Sequence, residues 1–268
     1  MWNRWVLPFL GATMLVLSAL ACQVGTIPGF TGVRGSGRVV EETRQISGVR
    51  AVELATIGEL TIEIGDAESL RIEAEDNLLE YLETEVRDGV LVIDTQRGAN
   101  LMATRPVRYF LTVTALDEIA LSSSGSAVAP DLEAQRFTVR VSSSGDLQIG
   151  NVRADTLVVD MSSSGDVSMD GLEADLIRAT ISSSGSLEIG GGVVERQEVT
   201  MGSSGNYRAR ELESREVEIS VSSSGDAAIR VSDRLKATLS SSGDVEYVGR
   251  PPTVEINETS SGRARQIE

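Results

Sequence analysis

Histidine is absent from the sequence, and cysteine, lysine and tryptophan are nearly absent. The 268 residues include a single cysteine, Cys22, and a single lysine, Lys236. One cysteine excludes an intramolecular disulfide, a cysteine-based zinc site and a CxxC redox pair. A serine nucleophile would find no histidine and only one lysine to act as its base. Hydrolases of the Ser-His type are therefore excluded.

Basic residues are outnumbered, since 24 Lys and Arg stand against 40 Asp and Glu and the formal net charge is −16. Removing residues 1–21 takes away one arginine and no acid, so the charge goes from −16 to −17. Such a surface repels nucleic acid and anionic lipid headgroups. We expect no nucleic-acid partner.

The first 21 residues are typical of an export signal, with a basic start containing Arg4 and an apolar run over residues 6–20. Small residues precede Cys22, and the segment resembles a bacterial lipoprotein signal, in which this cysteine becomes the lipidated first residue. The resemblance predicts a signal peptide over residues 1–21, lipidation of Cys22 and anchoring at the outer side of the cytoplasmic membrane or in the cell envelope. An ordinary cleaved signal and an uncleaved anchor are the alternatives.

Residues 22–37 contain several glycines and no apolar period, which predicts a flexible tether. From residue 38 the pattern changes to short alternating runs separated by Gly or Asp, which predict β-strands. We expect one domain over residues 38–268 with little helix. The less regular part up to residue 113 should add several coils to the repeat described next.

A Ser-Ser-Ser-Gly turn recurs about every twenty residues. Its glycines are Gly125, Gly145, Gly165, Gly185, Gly205, Gly225, Gly243 and Gly262. Positions two and four after each glycine are apolar, as are positions four and six before it, and the positions between them are polar. Alternation of this kind in a repeat near twenty residues predicts stacked strands with one face buried. The predicted fold is an all-β solenoid of about 20 residues per coil.

The last coil breaks this pattern, because Glu258 and Gln266 occupy columns that are otherwise apolar. A terminal repeat with polar residues can close a solenoid core. We predict a C-terminal cap near residues 258–268.

The serine turn is interpreted as a structural corner and not as a repeated active site. The second serine of each turn shares the parity of the apolar columns, so small hydroxyls should stack inward at a tight bend. Glycine permits positive φ and removes Cβ crowding there. The predicted structural ladder comprises Ser123, Gly125, Ser143, Gly145, Ser163, Gly165, Ser183, Gly185, Ser203, Gly205, Ser223, Gly225, Ser241 and Gly243.

The position after each glycine is often acidic, as at Asp146, Asp166, Asp226 and Asp244. Oxygen ligands in a row suit Ca²⁺, but one carboxylate per coil is thin coordination and Asp is an ordinary turn residue. We predict no cofactor, no metal site and no catalytic residue. A carboxylate-dependent enzyme acting on polysaccharide is the alternative that these four residues leave open.

Several segments resemble one bacterial family, the putative auto-transporter adhesin, head GIN domain. They are the stretch from Val39 to Val52, Glu59-Leu-Thr-Ile-Glu-Ile-Gly65-Asp, Glu75-Asp-Asn77 and Val86-Arg-Asp-Gly89, followed by Ser-Ser-Gly-Asp turns. The resemblance covers residues 38 to about 262. It implies a right-handed parallel β-helix of pectin-lyase-like architecture, without conserved catalytic residues, on exported or cell-envelope proteins.

The expected function is therefore non-enzymatic adhesion or surface scaffolding, with an unknown protein or glycan of the envelope or the exterior as partner. An envelope sensor or regulatory module is a further alternative. The polysaccharide-acting enzyme is the other alternative to adhesion or scaffolding.

Overall fold

The computed structural model describes residues 31–182 and 184–268. Within these residues the only helical element is one 3₁₀ turn, Leu79–Tyr81. The N-terminal strands are β1 (Thr31–Arg34), β2 (Val39–Arg44), β3 (Ala51–Leu54), β4 (Glu59–Ile64), β5 (Ser69–Glu75), β6 (Leu82–Arg87), β7 (Val90–Thr95), β8 (Ala99–Met102) and β9 (Arg108–Val113). The repeat strands are β10 (Glu118–Leu121), β11 (Ser126–Ala129), β12 (Leu132–Val141), β13 (Leu147–Met161), β14 (Val167–Ile181), β15 (Ser186–Ile189), β16 (Gly192–Met201), β17 (Asn206–Ala209), β18 (Leu212–Val221), β19 (Ala227–Arg230), β20 (Arg234–Leu239), β21 (Val245–Val248), β22 (Thr253–Glu258) and β23 (Ala264–Ile267).

The repeat strands form a β-solenoid of about seven turns with roughly 20 residues per turn, as predicted. Strand segments that precede the serine turns stack in parallel as the first face, and segments that follow the turns stack as the second face. Pairing is in register, so Ile119 lies opposite Val139 and Val139 opposite Val159. The repeat length therefore sets which side chains stack.

A third, shorter face exists only where the coils have 20 residues. Its segments are 132–134, 152–154, 172–174, 192–194 and 212–214. Between Gly225 and Gly243 the coil has 18 residues, and residues 231–233 form a bend in place of a strand. Two fewer residues per coil thus change the cross-section from three sides to two.

The predicted apolar columns form the core. Val139, Val141, Leu147 and Ile149 are at most 3% exposed, and Tyr207 is fully buried in the same interior. Complete burial of a large apolar side chain stabilises a fold by about 1.5–3 kcal/mol. The period-2 pattern therefore identified the interior correctly along the repeat.

The N-terminal region adds two coils where several were predicted, and their order in space differs from their order in sequence. The coil of β3 and β4 lies between the coil of β7 and β9 and the coil of β10 and β11. The remaining strands turn back, so β6 pairs with β7, β5 with β9, and β2 with β5, all antiparallel. At Asp88 and Gly89, two consecutive positive φ values form a two-residue hairpin, which favours antiparallel return over another parallel coil.

The end of the predicted tether is folded onto the domain. Strand β1 pairs in parallel with β8, and residues 31–38 form an N-terminal strap. The Ser36 N–H donates to Asn77 Oδ1 at 2.8 Å, and the Gly37 N–H donates to Glu75 Oε1 at 2.6 Å. Within the predicted tether, residues 31–34 are thus a strand, and side chains 38–41 positions away accept the N–H groups of Ser36 and Gly37. Residues 22–30 lie outside the described residues.

Candidate functional site

The serine corner stacks coil on coil as a narrow edge between the first and second faces. Ser143 is 9% exposed, and the second serines at 123, 163, 203, 223 and 241 are half-buried, while the flanking serines of the turns are exposed. Ser143 Oγ accepts the Gly145 N–H at 3.3 Å. In other coils a first-serine hydroxyl donates to backbone, as Ser182 does to Met161 O at 3.2 Å. Ser183 lies outside the described residues.

Of the two reasons predicted for glycine at this corner, Cβ crowding applies and positive φ does not. Positive φ occurs at other glycines of the described chain, such as Gly89 and Gly249, and not at the turns. A Cβ on Gly165 would instead overlap Gly145 O of the preceding coil and lie 2.9 Å from Ser143 O. The Gly165 N–H donates to Ser143 O at 3.1 Å. Close backbone approach between coils therefore demands the glycine.

The aspartate column has a structural role that sequence reasoning missed. Asp146 Oδ1 accepts the Asp166 N–H at 3.1 Å, and Asp166 Oδ1 accepts the Ser186 N–H at 2.7 Å. The Asp244 N–H donates to Asp226 Oδ1 at 3.0 Å in the same way. Each carboxylate thus joins its coil to the next, which explains why Asp or Asn follows the glycine.

No metal cluster is built from this column. Among residues 31–182 and 184–268, no group of three or more His, Cys, Asp or Glu side chains is placed to hold a metal ion. One carboxylate oxygen of each laddered aspartate is committed to backbone. The chemistry of the donor set therefore does not favour calcium.

A polar pair interrupts the core between the first and second faces. Gln197 is fully buried in a column of Phe137, Leu157, Ile177 and Val217, and the Tyr207 hydroxyl donates to its Oε1 at 2.7 Å. Gln197 Nε2 has no hydrogen-bond partner in the described structure. Burial raises the pKa of Tyr207 well above its ordinary value, so this hydroxyl is a neutral donor. In the sequence, this buried pair could have been found from Gln197, a glutamine in an otherwise apolar column.

Charges on the first face are paired along the stack. Arg178 lies 2.8 Å from Glu198, and Glu218 lies 3.2 Å from Arg196 and 2.7 Å from Lys236. The hydrogen bond from the Lys236 ammonium lowers the pKa of the Glu218 carboxyl. Exposed pairs of this kind contribute little stability, typically about 0–1 kcal/mol each. Their main effect is to leave this face electrically compensated.

The third face differs, because it is concave and its carboxylates are only partly paired. It forms a trough of about 1090 Å³. Arg153 pairs with Glu173 at 2.7 Å, whereas Asp155 and Asp175 are exposed and their carboxylates make no hydrogen bond or ion pair in the described chain. Register sets Ala154 opposite Ala174, so the two aspartates lie on adjacent coils. We name this surface the third-face trough.

A buried carboxylate holds the N-terminal strap in place. Glu75 is fully buried and accepts the Thr104 hydroxyl at 2.5 Å, the Thr104 N–H at 2.8 Å and the Gly37 N–H at 2.6 Å. The Thr104 hydroxyl is the largest of several hydrogen bonds that lower the pKa of Glu75. The strap therefore depends on Glu75 being ionised.

The predicted signal peptide and Cys22 lie outside the described residues, so the anchor remains a prediction. In the part of the chain that the structure describes, no helix is long and apolar enough to cross a membrane.

Solved structures share this fold. A putative adhesin from Parabacteroides distasonis matches with a TM-score of 0.81 and 22% identity, over 88% of this chain and 100% of the other. A putative adhesin from Parabacteroides merdae matches with a TM-score of 0.79 and 20% identity, over 88% and 99%. A protein described as a putative lipid binding protein from Parabacteroides distasonis gives a TM-score of 0.77 and 24% identity, over 88% and 100%.

No curated protein matches the sequence. A family model does match it, over residues 50–251, which is most of the solenoid. The resemblance found in the sequence is therefore confirmed. The chain belongs to the family described as putative auto-transporter adhesin, head GIN domain.

Proposed function

We propose that this protein is a non-enzymatic component of the bacterial cell envelope, where it serves adhesion or surface scaffolding. In this proposal the signal over residues 1–21 exports the chain, and a lipid on Cys22 holds it at the membrane. Family membership supports an exported or surface protein. The solenoid supplies a long, regular surface that suits extended contact with a partner.

The observation that carries the proposal is the commitment of the repeated polar groups to the scaffold. The aspartates that follow the turns, and several turn hydroxyls such as those of Ser143 and Ser182, bind backbone of their own or adjacent coils. A catalytic serine would need a free hydroxyl beside a base, and a catalytic carboxylate pair would need two free acids facing one substrate. The turns supply neither arrangement, so presentation of a surface is the better-supported use of the repeat.

The third-face trough is the lateral surface best suited to a partner. It runs across several coils, whereas the charges of the first face compensate one another. Asp155 and Asp175 offer carboxylates with no partner in the described chain. An extended protein or glycan carrying cationic groups is the partner that this surface fits.

Attachment assays test the proposal. Cells lacking the gene should attach less well to host or neighbouring surfaces or show a weakened envelope, and the wild-type gene should restore the behaviour. The double variant Asp155→Lys, Asp175→Lys should fail to restore it, whereas the control Asp160→Lys, an exposed change on the first face, should succeed. An unchanged deletion strain, or turnover of an envelope glycan by the purified protein, would overturn the proposal.

The anchor needs a separate measurement. Mass spectrometry of the mature protein should find diacylglycerol-modified cysteine at its N-terminus, and Cys22→Ser should release the protein from membranes. An unmodified Cys22 in the mature chain would contradict the lipoprotein part of the proposal without affecting the adhesive part.

A further inference from the structure

The C-terminal end of the solenoid exposes core columns that are closed everywhere else. Among the described strands, β22 pairs only with β20, and β23 pairs only with β21. Val254 is 44% exposed although its column neighbour Leu235 is fully buried, and Ile256 is 38% exposed although its neighbour Ala237 is 1% exposed. Both open strand edges and apolar core positions therefore face outward at this end.

The predicted cap covers this end only in part. Glu258 Oε1 accepts the Ala264 N–H at 2.8 Å, and Gln266 Nε2 donates to Gly249 O at 2.7 Å. These two side chains satisfy backbone groups of the last turns. Val254 and Ile256 nevertheless remain 44% and 38% exposed.

Charge at this end differs from charge elsewhere on the molecule. Residues 250–268 contain three arginines and three glutamates, so their side chains sum to zero in a chain of net charge −16. At the opposite end, the edge strands β2 and β6 each carry two glutamates and one arginine. The last coil by itself, residues 253–268, has two arginines and three glutamates and therefore a side-chain charge of −1, against −2 for β2 and β6 together. Two C-terminal ends therefore repel each other less than two N-terminal ends do.

The two strands of the last coil also complement each other. Strand β22 carries Glu255 and Glu258, while Arg263 directly precedes β23 and Arg265 lies within it. The last coil has only two faces, β22 and β23, and its chain runs in opposite directions along them. A two-fold axis along the strands therefore sets β22 of one copy antiparallel to β23 of the other, with acidic residues beside basic ones.

We propose that the last coil, residues 253–268, binds the same coil of a second copy of this chain, end to end. The contact pairs the open edges of β22 and β23 and removes Val254 and Ile256 from water. It is independent of the adhesive function proposed above. One coil presents a small area, so we expect weak association, with a dissociation constant of about 10⁻⁵–10⁻³ M.

Sedimentation equilibrium on residues 23–268 tests this contact. The solved relatives consist almost entirely of the matching region, which indicates that this part folds by itself. Wild-type protein should show a monomer–dimer equilibrium, and Val254→Lys and Ile256→Lys should each raise the dissociation constant at least tenfold. The control Val128→Lys, a 50% exposed position on the second face, should leave it unchanged. Circular dichroism and thermal unfolding should confirm that all variants fold.

The shape of the dimer separates end-to-end pairing from other modes. Small-angle scattering should give a maximum dimension nearly twice that of the monomer. A protein that stays monomeric up to about 1 mM, beyond the weakest association expected, would overturn the proposal. So would a side-by-side dimer, an open-ended polymer, or tip variants that associate like wild type.

Discussion

Two glycine substitutions within the same turn motif should have opposite effects on stability. Gly165 and Gly202 both belong to serine turns, and neither has a positive φ. A Cβ on Gly165 meets Gly145 O, Ser143 O at 2.9 Å and Val141 Cγ1 at 3.0 Å, whereas a Cβ on Gly202 has its nearest neighbours, both in Ser182, at 3.9 Å. The main difference between Gly165→Ala and Gly202→Ala is therefore the space around the added methyl group.

The crowding around the added Cβ determines how much Gly165→Ala lowers the free energy of unfolding. Overpacking an interior costs about 1–3 kcal/mol, and the upper end applies here because the crowded atoms are backbone oxygens that cannot rotate away. A shift of the corner also weakens the hydrogen bond from the Gly165 N–H to Ser143 O, which contributes about 0.5–1.5 kcal/mol. We expect Gly165→Ala to lower the free energy of unfolding by about 3–4 kcal/mol. Gly202→Ala should raise it by about 0.4–1 kcal/mol, by restricting the unfolded chain.

Urea and thermal unfolding of the two variants measure the difference. A loss of 3–4 kcal/mol corresponds to a fall of about 10 °C in midpoint for a domain of this size. Hydrogen exchange should place the loosened amides of Gly165→Ala at the coils on either side of that turn. Equal stability of the two variants, or a loss below about 1 kcal/mol for Gly165→Ala, would refute the inference that close backbone approach selects glycine.

Three further changes follow from the site. Asp166→Ala should lower the free energy of unfolding by about 1 kcal/mol, because it removes the acceptor of the Ser186 N–H, and Asp166→Asn should lower it by less than half of that. Added Ca²⁺ should leave the unfolding midpoint of the wild type unchanged. A calcium-dependent rise would contradict the structural role of this column. Gln197→Leu or Tyr207→Phe alone should lower the free energy of unfolding by about 1–3 kcal/mol. The double variant should be at least as stable as wild type, because it also removes the unpartnered amide. Additive losses in a double-mutant cycle would refute this. The pKa of Glu75 is lowered in the folded state, so ionised Glu75 stabilises the strap fully at pH values above the ordinary carboxyl pKa of 4.5. This stabilisation is lost as the pH falls through the lowered pKa. Hydrogen-exchange protection of β1 should therefore fall in acid. Glu75→Gln should weaken that protection at neutral pH and reduce its pH dependence, and an unaltered profile would contradict the assignment.

The repeat was readable from sequence because two periods coincide in it. A period of two separates inward from outward residues, and a period near twenty brings equivalent residues to the same column, as with Leu147 and Val167. Each column is thus sampled several times, and one irregular residue such as Tyr207 does not obscure it. The inward direction of the second serines was predicted from the same parity.

Features that depend on contacts between unlike segments could not be read in this way. The hydrogen bonds from Glu75 to Gly37 and Thr104 join residues far apart in sequence, and no repeat relates them. The aspartate ladder was missed because Asp146 looks the same whether it binds a cation, caps a turn or accepts the next N–H. The glycine requirement was assigned partly to φ because sequence does not reveal how closely two backbones approach.

The order of the N-terminal coils has a consequence for how the chain folds. The coil of β3 and β4 has the coil of β7 and β9 on one side and that of β10 and β11 on the other, so it cannot complete its pairing until all of residues 51–129 are available. Contacts over such separations are slow to form, because the loops between them must close first. Beyond β12, each coil pairs with its sequence neighbour and can add singly. We therefore expect the N-terminal end to fold as one cooperative block and the regular coils to form by nearest-neighbour steps.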